Sequence, residues 1–165
     1  MKKLLFAMAL CLVSTMAFGQ LNIQSGGNTK EDKLSSDSYG SKVVCNGGTY
    51  KIIVEDDQSK MAITVTLGTT AQSAKTSLEQ LLDWIRGAKV GDYINLTEGE
   101  DRVTIYKHVA GSVMVSYGDA EFCKRIYKAI LVDAFLDVST GERNHKNEMY
   151  GFMSQNLLKN ALKKI

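Results

Sequence analysis

The chain has 165 residues, 44% of them hydrophobic and 23% charged, enough for one domain with a sizeable core. Its formal net charge is only +2, from 20 basic and 18 acidic residues, and Lys2 and Lys3 alone supply the excess. Without them the chain is neutral, which removes the electrostatic basis for nucleic-acid binding.

The first residues explain where that charge sits. Met1-Lys2-Lys3 is a basic start, L-L-F-A-M-A-L-C-L-V is an apolar run, and Ala17 and Gly19 are the small residues a signal peptidase requires. This pattern predicts a signal peptide over residues 1–19, cleaved before Gln20, and export to a periplasmic or secreted location. The apolar run is shorter than the roughly 20 residues needed to span a bilayer. Leu10, not a small residue, precedes Cys11, which argues against a lipid-anchored N-terminus. Residues 20–41 are rich in Ser and Gly without apolar periodicity and predict a flexible leader. Residues 42–165 then read as a single α+β domain.

Within that domain, Val43-Val44-Cys45 and T-Y-K-I-I-V-E read as strands around the turn Asn46-Gly47-Gly48. K-M-A-I-T-V-T-L-G follows as a hairpin partner, with Met61, Ile63, Val65 and Leu67 on one face. Residues 70–86 carry Ala74, Leu78, Leu81, Leu82 and Ile85 at helical spacing, with Thr76 and Glu79 at capping-box separation and Gly87 at the end. Y-I-N-L and R-V-T-I-Y-K-H-V read as two further strands.

Residues 112–138 then give a strand, a Gly118-Asp119 break and a long apolar helix capped by Asp119. The two halves align at an offset of 50 residues, placing Ile63, Val65, Leu67 and Gly68 over Val113, Val115, Tyr117 and Gly118. The expected architecture is therefore one antiparallel sheet from two β-β-β-α units, with helices packed on one face. A C-terminal helix over residues 147–164 completes it. Its stripe of Tyr150, Met153, Leu157 and Ala161 is suited to docking on the chain's own core, on a second copy or on another protein. Its terminal lysines complement the helix dipole, which leaves a membrane surface only a weak alternative.

Chemistry is sparse. Two cysteines remain after processing, Cys45 and Cys123; in an exported chain they read either as a disulfide, adding roughly 4 kcal/mol through loop closure, or as two buried thiols. His108 and His145 are the only histidines, and no zinc-binding, phosphate-cradling, dinucleotide or nucleophile-elbow spacing is present. The pairing of Cys123 with His108 as nucleophile and base is disfavoured because Cys123 belongs to a core helix. The acidic turns at Glu55-Asp56-Asp57 and Glu98-Gly99-Glu100-Asp101 read as solvated turns rather than calcium loops. No catalytic, cofactor-binding or metal-binding residue is assigned.

Trp84, Tyr93, Tyr106 and His108 are the candidate interaction surface, because aromatic side chains with polar tips anchor contacts. The sequence thus favours a small exported, non-catalytic binding or interaction module. A homo-oligomeric or partner-docking protein built on the C-terminal helix is the alternative, and a hydrolase using His108 or His145 is the remote one. A partner would be a protein or a small molecule.

Overall fold

The structure is a computed structural model that describes residues 31–56, 61–97, 101–109, 111–124 and 148–165. The expected signal segment, residues 20–30 of the leader, His145, and the long helix beyond residue 124 lie outside these. The chain folds as an α+β protein with two antiparallel four-stranded sheets instead of the single sheet expected. Sheet one runs in sequence order through β1 (Asp32–Ser36), β2 (Lys42–Asn46), β3 (Thr49–Glu55) and β4 (Ala62–Gly68). Helix α1 (Ala71–Gly87) follows. Sheet two is β5 (Tyr93–Asn95), β6 (Asp101–Val109), β7 (Ser112–Asp119) and β8 (Met149–Ser154), and α2 (Gln155–Leu162) ends the chain.

The main core takes side chains from every layer. Across sheet one, Val43 faces Ile52 and Ile52 faces Val65, while Val54 faces Ile63, and all five are buried. Across sheet two, Val103, Tyr117 and Met149 form one cross-strand row, and Val113 faces Met153 in another. Leu78, Leu81, Leu82 and Ile85 of α1 and Leu157, Leu158 and Ala161 of α2 join the same cluster. Each buried leucine or isoleucine among them contributes about 1.5–3 kcal/mol by leaving water, and Ala161 less. Lys107 also lies on this inner face, where its Nζ donates to the Ile85 carbonyl at 2.9 Å. A cation thereby meets the negative end of the α1 dipole.

Local signals explain the two strand-to-helix corners. Thr70 caps α1: its Oγ1 accepts from Ser73 N at 3.1 Å, and Ser73 Oγ accepts from Thr70 N in return. The box expected at Thr76 and Glu79 is absent because Thr76 Oγ1 donates to the Gln72 carbonyl one turn back. After β7, Asp119 Oδ1 accepts from Phe122 N at 2.7 Å, the cap expected there, and residues 120–124 begin a helix. Gly68 and Gly118, the pair aligned at offset 50, do the same job. A Cβ on Gly68 would collide with Ser73, and one on Gly118 would stand 2.5 Å from the Phe122 ring. Each glycine lets the first helical turn close onto its strand.

Two expectations are corrected. Residues 32–36, read as part of a flexible leader, are strand β1, paired to β2 with an irregularity between Lys33 and Ser35. Residues 149–154, read as the start of the terminal helix, are strand β8, paired along its length with β7. Pairing with β7 overrides the helical spacing because alternation also fits the segment: Met149 and Met153 enter the main core while Tyr150 and Phe152 face the other way.

β8 is also the seam between the sheets. Three of its backbone groups are taken up by side chains at the strand ends of sheet one. Tyr150 N donates to Asp56 Oδ1 at 3.0 Å, Ser154 N donates to Asp37 Oδ2 at 2.7 Å, and the Phe152 carbonyl accepts from Ser41 Oγ at 2.6 Å. Between them Gly151 lies against β3 so closely that a Cβ would meet the Glu55 carbonyl and come within 2.8 Å of Val54. An edge strand that would otherwise offer open hydrogen-bonding groups is thus partly covered by its own chain.

Candidate functional site

The outer face of sheet two is not the bare reverse of a core sheet. The register puts Tyr93, Tyr106, Met114 and Phe152 opposite one another, one from each strand. The next row along the strands is Asn95, Thr104, Ser116 and Tyr150. An aromatic row therefore lies beside a row of hydroxyl and amide groups.

The aromatic row is continuous at its ends. Tyr93 and Tyr106 have ring centroids 5.6 Å apart and tilted by 38°. On the other side Phe152 contacts three rings: His108 at 5.5 Å, Tyr39 of the β1–β2 turn at 5.8 Å, and Tyr150 edge-on at 6.4 Å. These separations fall in the range where aromatic pairs attract beyond simple burial. The row runs from buried to open: Met114 and Tyr150 are fully covered, Tyr106 is 5% exposed, His108 and Phe152 are half-buried, and Tyr39 and Tyr93 are 48% and 60% exposed. Val90, just ahead of β5, is the third strongly exposed large apolar side chain among the described residues.

Beneath the open ends is a second, smaller core of Tyr106, Met114, Phe122, Cys123 and Tyr150. Burial raises the Tyr106 phenol well above its ordinary range, helped by the Cys123 thiol and opposed by the Ser116 and Thr104 hydroxyls. Burial likewise raises the Cys123 thiol, against the pull of Ser116, Thr104 and Arg102. A thiol raised in this way carries little thiolate at neutral pH and is a poor nucleophile. Its Sγ donates weakly to the Gly118 carbonyl at 3.8 Å. Thr104 Oγ1 donates to Asn95 Oδ1 at 2.9 Å, tying β5 to β6 through the polar row.

Three of the four residues expected to form an interaction surface thus share one face: Tyr93, Tyr106 and His108. Trp84 does not join them. It sits on α1, 7% exposed within the main core, because its position beside Leu81 and Ile85 turns it inward with the apolar stripe. Of the two readings of the cysteine pair, the structure has the free-thiol one: Cys45 and Cys123 are not bonded to each other. Cys45 is a half-buried strand residue of sheet one, opposite Tyr50, whereas Cys123 belongs to the small core on sheet two.

Sequence reasoning missed Tyr39, Phe152, Asp37 and Asp56. Phe152 lies off the helical stripe, a departure that a helix reading leaves unexplained and a strand reading accommodates. For Asp56 no signal existed: it reads as a solvated turn residue, yet it is 5% exposed and bonded to β8. His108 has an aromatic ring as its neighbour, and burial lowers its pKa below the usual 6.5. Among the described residues, no group of three or more His, Cys, Asp or Glu side chains is placed to hold a metal ion. Compared with known proteins, the chain matches no protein-family model, no curated protein and no solved structure.

Proposed function

We propose that the protein is an exported, non-catalytic binding module that recognises its partner through the outer face of sheet two. The observation that carries this reading is the aromatic row Tyr93–Tyr106–Met114–Phe152, extended by Tyr39 and His108 and open to solvent at both ends. Rigid aromatic side chains with polar tips provide contact area at low entropic cost, and half-buried ones are held in place before a partner arrives. Of the adjacent hydroxyl and amide row, Thr104, Ser116 and Tyr150 are buried, and exposed Asn95 is the member placed to offer an orienting hydrogen bond. Export is supported by the basic start, apolar run and small residues of positions 1–19.

The apolar side of α2 packs on the chain's own core through Leu157, Leu158 and Ala161, which favours the sheet-two surface over the alternative built on a docking C-terminal helix. Site-specific photo-crosslinking from position 93, with exposed Gln72 of α1 as the control position, tests the proposal in the exporting cell. An adduct made of two copies of the chain would instead support self-association.

A further inference from the structure

We draw no further inference here: the strongest candidate, the extension of the aromatic band from Phe152 onto Tyr39 of the β1–β2 turn, belongs to the surface already described, and nothing in the structure shows what covers it.

Discussion

Single atoms decide two features of this protein. Gly151 is the clearest, since the backbone of β3 occupies the space a Cβ would need. Gly151→Ala must push β8 away from Glu55 and stretch the seam bonds on either side. The expected loss is about 2–4 kcal/mol, in the range of overpacking plus damaged buried hydrogen bonds. Gly87→Ala is the control, with open space at its Cβ position, and is expected to be neutral or stabilising by up to ~1 kcal/mol. Urea midpoints for the two variants check this, and equal midpoints would contradict the close approach. His108 gives a pH dependence whose sign is fixed by its lowered pKa. The unfolded chain takes up a proton first as pH falls through about 6.5, so the His108 contribution is whole above that value and declines below it. His108→Gln is expected to flatten the fall in thermal midpoint between about pH 7.5 and 5.5; an unchanged slope would contradict a His108 pKa lowered by partial burial.

At the scale of elements, the seam depends on acceptors that sequence could not reveal. Asp56→Ala leaves the buried Tyr150 N–H without its acceptor and is expected to cost about 1–3 kcal/mol, whereas Asp56→Asn keeps an oxygen in place and costs less. Chemical denaturation of both variants separates them, and an Asn variant as weak as the Ala variant would mean the bond itself matters little. Most elements were legible where one period stood alone. The α1 stripe of Leu78, Leu81, Leu82 and Ile85 had no competing alternation, and β3, β4, β6 and β7 were bounded by turn residues. β8 was not legible, because M-Y-G-F-M-S satisfies both periods and the choice is made by β7, more than 30 residues earlier in the chain. Its glycine was the available hint, since a strand glycine often marks a close backbone approach. β1 has a single apolar residue, Leu34, and exists through pairing with β2. On the candidate surface, Tyr93, Tyr106 and His108 alternate legibly along two neighbouring strands. Tyr39 and Phe152 reach the same face only through tertiary structure.

For the molecule as a whole, the last 18 residues are structural. Residues 148–165 supply the edge strand of sheet two and the buried Leu157, Leu158 and Ala161 of α2. Ser35 Oγ also donates to the Leu157 carbonyl, so β1 and α2 hold each other. Deleting this stretch is expected to abolish cooperative thermal unfolding rather than yield a well-folded shorter monomer; calorimetry that still showed one sharp transition would refute that. Among the described residues no helix is long and apolar enough to cross a membrane. With α1, α2 and the inner faces of both sheets committed to one core, and Phe122 and Cys123 packed on the middle of the outer face of sheet two, the exposed aromatic ends of that face, Tyr39 and Tyr93, are where the proposed recognition is tested. The most direct test places a photoreactive phenylalanine analogue at position 93 of the full-length chain, expressed in its own cell. The expected result is a discrete cross-linked adduct with a different molecule from position 93 and none from position 72. No adduct from 93, or the same adducts from both positions, would contradict it.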